Sequence, residues 1–340
     1  MVNIDYRKLI GFSKGSFVVT MPKYWVEKHN LKKGDMISIE EGSDELVFYA
    51  GEKETKKEEK SISISAEDKK LSMIKAEIVS SYLNNYNTIE IFSKTLEDDA
   101  PVIKGILRNL SGMEIIEQTG KRIVAKDLID VSSISIQSII RRMDVITRSM
   151  IDDTIMCMQG KCNPKSILHR DTDVNRLYYL GFRVIKNAME NPMLMNKLET
   201  NPWRLLSDKM ILSRIEEIAD RQKRVSRLLA EAEFKDKILE EFKQISNEIK
   251  ERYNNAMKAY YNNDKKIAYD IEITTKNYIE KCDKFLENIS KLLSVEIKKG
   301  SEKPTVLSKK NLVPIYKILD YTKSNVTFIK YIARAVLNMD

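Results

Sequence analysis

Glu216 and Asp220 stand four residues apart, the spacing that puts two side chains on one face of a helix. Two carboxylates so placed could share a cation, and a metal ion is one candidate. Their plainer reading is a solvated acidic turn, or partners for Arg214 and Arg221 at helical spacing. Arg221, Lys223, Arg224 and Arg227 follow directly, so the same stretch also offers a positive patch. That run reads as a solvated helix face and not as a nucleic-acid site. Asp153 is a different case, because it falls on an apolar seam. A carboxylate there must be paired, hydrated or near a bundle end, since burying it alone is costly. Catalysis is poorly served. The chain has two histidines, His29 and His169, and no nucleophile–histidine pair. No glycine loop matches GxxxxGK, and too few carboxylate pairs remain for a two-metal centre. The chain is read as a non-enzyme.

Helices must position the carboxylates. Ile211, Ile215, Ile218, Val225 and Leu229 recur at helical spacing, with Gln222 filling the gap, and predict a helix buried against others. Ile136, Ile139, Met143, Ile146, Met150, Asp153 and Cys157 predict an earlier helix of about seven turns. Asp171 to about Glu190 is a second, stopped by Asn191-Pro192. These three make one bundle. Glu231 to Asn262, Asp264 to Lys298 and Leu312 to Asn338 are three more, and three plus three suggests an internal duplication. With 11 Gly and 7 Pro in 340 residues, the composition suits long helices. The net charge of +8 permits an anionic partner without demanding one. No run of about 18 apolar residues exists, so no membrane span is expected. Residues 1–16 lack a hydrophobic core of signal-peptide type. Cys157, Cys162 and Cys282 are odd in number and lack CxxC spacing, which suits a reducing cytoplasm.

The first fifty residues differ. Leu9-Ile10, Phe17 to Val19, Met36 to Ile39 and Leu46 to Tyr49 read as short strands, with a helix opened by Pro22 between them. So small a set of strands cannot bury a sufficient core alone, so a partner chain is expected to complete it. The run Ser16-Phe17-Val18-Val19-Thr20-Met21-Pro22-Lys23, followed by Leu31-Lys32-Lys33-Gly34-Asp35, resembles the AbrB-type domain (SpoVT/AbrB). The resemblance implies a homodimer of swapped hairpins that binds DNA through basic residues on strands and loops. Residues 1–34 carry a net charge of +5 and residues 35–51 carry −5, which agrees with that reading. Arg7, Lys8, Lys14 and Lys23 are the candidate DNA contacts, mainly to phosphates.

Residues 52–60 read as a charged linker, and residues 61–130 as a small α/β segment of two helices and four strands. Residues 131–340 are helical, in two repeats of three helices, about 131–229 and 231–340. Within them Arg170-Asp171-Thr172-Asp173-Val174-Asn175-Arg176-Leu177-Tyr178 and the stretch from Ser213 to Arg227 resemble the PhoU family of phosphate-uptake regulators. An archaeal type of PhoU protein carries an AbrB-type head and a similar middle segment, which the resemblance implies and periodicity does not. The fold expected is therefore multidomain α+β: a swapped-hairpin β head, a small α/β segment and an all-α PhoU-like pair of bundles. Some PhoU proteins hold metal on acidic motifs, which makes Asp171, Glu216 and Asp220 candidate ligands for iron, zinc or manganese. Asn175, Thr274 and Ser324 stand where a second carboxylate would be needed, so Glu216–Asp220 is the intact pair. The resemblances together imply a cytoplasmic, homodimeric, DNA-binding regulator of phosphate uptake. The alternative is an adaptor that dimerises through its head and restrains a phosphate transporter subunit or a signalling partner without touching DNA.

Overall fold

The computed structural model describes residues 5–13, 15–41, 46–51, 59–231, 236–298 and 309–339. The chain divides into two compact units, residues 1–58 and 59–340. In the first, β1 (Ile10–Ser13) and β2 (Ser16–Val18) form an antiparallel hairpin around Gly15, whose φ of +102° suits a residue without Cβ. Pro22 precedes the short helix α1 (Lys23–Lys28), as its fixed φ allows. The turn after α1 is closed by the Lys32 N–H donating to Asp35 Oδ2 at 2.7 Å, with Gly34 at φ +100°. β3 (Ile37–Glu41) and β4 (Leu46–Ala50) then pair antiparallel. No described residue of this unit is buried. Two hairpins and one short helix have too little surface to cover each other.

The second unit begins with β5 (Ser61–Ser65), α2 (Leu71–Leu83), β6 (Thr88–Phe92), α3 (Ala100–Arg108), β7 (Met113–Gln118) and β8 (Arg122–Asp127). The four strands form one sheet in the order β5-β6-β8-β7, with β5 and β6 parallel and the other pairs antiparallel. Alternation along the strands sends Ile64, Ile89, Ile91, Ile123 and Ala125 toward α2 and α3, where they form a core with Ile74, Ile78, Ile103 and Leu107. The opposite face is polar. There Arg122 pairs with Glu90 at 2.9 Å, and Ser63 Oγ donates to Glu90 Oε2 at 2.6 Å.

Among the described residues seven α-helices follow: α4 (Ile136–Cys157), α5 (Pro164–Glu190), α6 (Pro192–Lys197), α7 (Pro202–Glu231), α8 (Asp236–Asn262), α9 (Lys265–Lys298) and α10 (Lys309–Leu337). α4, α5 and α7 pack on one another, as do α8, α9 and α10, and α10 also lies along α7. α5 starts well before the expected Asp171, because Asn163 caps it by accepting from the Ser166 N–H and Pro164 fills the first helical position. α7 is described through Glu231 and α8 from Asp236, and the expected start of α8 just after Glu231 falls on residues 232–235, outside the described residues. Asn191-Pro192 does end α5, but it also opens the extra turn-and-a-half of α6. The expected linker falls almost entirely on residues 52–58, outside the described residues.

Cys157 and Cys162 are joined by a disulfide across the turn at Gly160, whose φ is +75°. Cys282 is buried and free. No helix among the described residues is long and apolar enough to cross a membrane.

Candidate functional site

The seam of α7 is buried as its spacing requires: Ile211, Ile215, Ile218, Gln222, Val225 and Leu229 all face the helical core. Facing it, Gly181 of α5 lets the two helices approach closely. A Cβ there would lie 2.8 Å from Leu212 Cδ1 and 3.3 Å from Ile139 Cγ2. That approach sets Asp171, ten residues earlier on α5, beside the last turns of α7.

Here the candidate ligands and the basic run meet. Lys223 Nζ lies 2.8 Å from Asp171 Oδ2 and 2.8 Å from Asp220 Oδ1. Asp220 Oδ2 accepts from Arg221 Nη1 at 2.9 Å and Arg224 Nε at 2.7 Å. Asn175 Nδ2 donates to Asp171 Oδ2 at 3.2 Å. The guanidinium groups of Arg221 and Arg224 also sit over the Tyr321 ring of α10, at 5.3 and 5.9 Å. The basic run is a solvated face in part: Arg224 and Arg227 are exposed, and Arg221 and Lys223 are partly buried. Arg221, Lys223 and Arg224 are drawn onto carboxylates, and Lys223 is half-buried. Hydrogen bonds from Lys223 and Arg224 hold the Asp220 carboxyl below its ordinary range against the opposing effect of burial. Glu216 has no such donor. Burial, with Asp220, Glu217 and Asp171 nearby, pushes its carboxyl up to about 7.

These residues do not fit a metal as they stand. A divalent ion needs several oxygens with open lone pairs. The inward oxygens of Asp171 and Asp220 already hold the Lys223 ammonium. Among the described residues no group of three or more His, Cys, Asp or Glu side chains is arranged to hold a metal ion. Lys223 was the residue missed in the sequence, although its position three after Asp220 is itself a pairing distance on a helix. Asp153 is paired, with Arg170 of α5.

A second polar link joins the small sheet to the bundle. Arg183 of α5 donates from Nη2 to Asp127 Oδ2 at 2.6 Å, and both side chains are 2% exposed. Its Nε donates to Asn85 Oδ1 at 3.1 Å, and its guanidinium lies 4.6 Å from the centre of the Tyr82 ring. Tyr82 in turn donates to the Ser111 carbonyl at 2.9 Å, and burial pushes its phenol up to about 12.

In the first unit Arg7 and Lys8 lie in the extended segment before β1, and Lys23 opens α1. All three are exposed. Arg7 pairs with Asp5 at 2.5 Å and Lys23 with Glu27 at 3.5 Å. Lys14 lies outside the described residues. The apolar side chains are also open, with Phe12 78%, Phe17 68% and Leu9 66% exposed.

No family model matches this chain. No curated protein matches it either. Among solved structures, the chain is similar to the crystal structure of PhoU from Pseudomonas aeruginosa, with a TM-score of 0.45 and 10% identity, over 60% of this chain and 94% of that one. A likeness at that level assigns neither an activity nor a partner to this chain.

Proposed function

We propose that this protein is a homodimeric, DNA-binding regulator of phosphate uptake, with an AbrB-like head that binds DNA and a PhoU-like helical body that relays a signal or docks a transporter subunit. The observation that carries the reading is the head's exposed apolar surface. Phe12, Phe17 and Leu9 are open to water in a unit whose described residues include none that is buried. An isolated hairpin pair of this kind gains little from folding alone, so a second copy supplies the missing cover. Swapped hairpins from two chains would bring two sets of Arg7, Lys8, Lys14 and Lys23 together on one particle. The phosphate part rests on the Arg170–Tyr178 and Ser213–Arg227 runs. The body's contribution to regulation requires two conformations with different affinity for DNA or partner.

The test is fluorescence anisotropy of the full chain with duplex DNA taken upstream of a phosphate-transporter gene, over a series of salt concentrations. If all four cations of both copies meet phosphates, log K falls against log salt with a slope of about −7. Charge reversal of Lys14 and Lys23 together is expected to reduce that slope by about 3 to 4. Absence of binding at low salt, or a slope untouched by the reversal, refutes the DNA role. A Phe12→Glu chain that remains dimeric by light scattering refutes the dimer role of the head. Retention of a transporter subunit by a chain without DNA affinity would favour the adaptor function instead.

A further inference from the structure

The group of Asp171, Glu216 and Asp220 poses a question about charge. Lys223 answers it for the first bundle by bridging Asp171 Oδ2 and Asp220 Oδ1, each at 2.8 Å from its Nζ. Three donors from α7 saturate the Asp220 carboxylate, with Arg221 and Arg224 on its second oxygen. Arg221 and Arg224 also lie over the Tyr321 ring of α10.

The second bundle also holds a cation between its helices, but on neutral oxygens. Asp270 is followed four residues later by Thr274, and Arg252 of α8 reaches this turn of α9 while almost fully buried. Its Nη1 donates to Thr274 Oγ1 at 2.7 Å, and its Nη2 to Thr275 Oγ1 at 2.6 Å and to the Ile271 carbonyl. The guanidinium lies 4.5 Å from the centre of the Tyr278 ring. Arg252 is thus held by hydroxyl and carbonyl oxygens, whereas Lys223 is held by two carboxylates.

We propose that Lys223 is the resident counter-cation of the Asp171–Asp220 carboxylates, and that this pair therefore works without a divalent metal. The inference concerns residues 131–340 and stands whether or not the head binds DNA. It turns a structural position into a specificity element. A divalent ion would have to displace an ammonium that already holds one oxygen of each carboxylate, at the cost of taking that ammonium from its partners.

The experiment uses the full chain, dialysed against EDTA and then titrated with Mn²⁺ or Zn²⁺ by calorimetry and by thermal melting. The native chain is expected to bind neither ion stoichiometrically and to keep its Tm. Lys223→Gln removes the ammonium from Asp220 Oδ1 and from Asp171 Oδ2, which keeps the Asn175 amide, and its Mn²⁺ affinity is expected to exceed that of the native chain at least tenfold, with a metal-dependent rise in Tm. Lys223→Gln combined with Asp171→Asn is expected to lose that gain, and Lys223→Arg to remain insensitive to metal. Stoichiometric binding of Mn²⁺ or Zn²⁺ by the native chain with a raised Tm overturns the proposal. So does a folded Lys223→Gln chain that gains no affinity. The titration of the native chain decides the matter alone if Lys223→Gln does not fold.

Discussion

Arg183→Met is the most demanding perturbation of this fold. The native pair is 2.6 Å from Nη2 to Oδ2, with both side chains 2% exposed, so removing the cation strands a carboxylate away from water. Breaking a buried pair from one side costs about 3–5 kcal/mol. Asp127 Oδ1 still accepts from the Ile129 N–H at 3.1 Å, which pulls the cost toward the lower end. Against that, the bond from Arg183 Nε to Asn85 goes, at about 1 kcal/mol, and the stacking on Tyr82 at about 0.5–2 kcal/mol. These terms share partners and do not simply add, so a net loss of about 4 kcal/mol is expected. Asp127→Asn keeps an acceptor for Ile129 and removes the charge. Arg183→Met with Asp127→Asn should therefore recover at least about 2 kcal/mol relative to the sum of the single losses. A chain with two compact units has no single unfolding free energy, so hydrogen exchange of β8, α2 and α5 at neutral pH is the appropriate assay. A single loss under about 1 kcal/mol, or strictly additive effects in the double variant, would refute the view that this pair anchors the sheet.

Other outcomes follow from the site. Burial and the neighbouring carboxylates raise Glu216 from 4.5 to about 7, so the folded chain holds its proton more tightly than the unfolded chain does. Stability from this group is full below about pH 4.5 and falls as pH rises toward 7. Glu216→Gln should then stabilise the protein at pH 8, by about 1–3 kcal/mol after allowing for partial exposure, and change little at pH 4. Urea unfolding at the two pH values checks this, and an equal effect at both would contradict it. Gly181→Val places atoms where Leu212 and Ile139 already stand, with a first contact of 2.8 Å. A loss of about 1–3 kcal/mol is expected. An unchanged Tm in a calorimetric scan would show that α5 and α7 can separate freely.

Much of the frame was legible in the sequence, because local patterning sets helices and strands. The α7 seam, including polar Gln222, is buried where the period of 3.6 puts it, and Pro22 marks a helix start through its own backbone geometry, whereas the same signal at Pro164 was passed over in favour of Asp171. What was not legible lies across long separations. Lys223 and Asp171 are 52 residues apart and Arg183 and Asp127 are 56, so no periodicity joins them. A charged run reads the same whether it faces water or a carboxylate on another helix, and so nothing in it set Lys223, which reaches Asp171, apart from exposed Arg224 and Arg227. The Cys157–Cys162 bond was hidden for another reason. It depends on the positive φ at Gly160, a backbone state that spacing alone does not announce.

The link between Arg183 and Asp127 also decides where this chain can be cut. Residue 130 looks like a natural end for the small sheet segment, but a fragment starting there would leave α5 with a bare guanidinium and an uncovered Tyr179, which packs against the sheet's core. A fragment ending there would keep a buried carboxylate with its counter-ion amputated. Neither piece is the independent module its secondary structure suggests. For dissecting the protein, the serviceable boundary is residue 59, where the second compact unit begins.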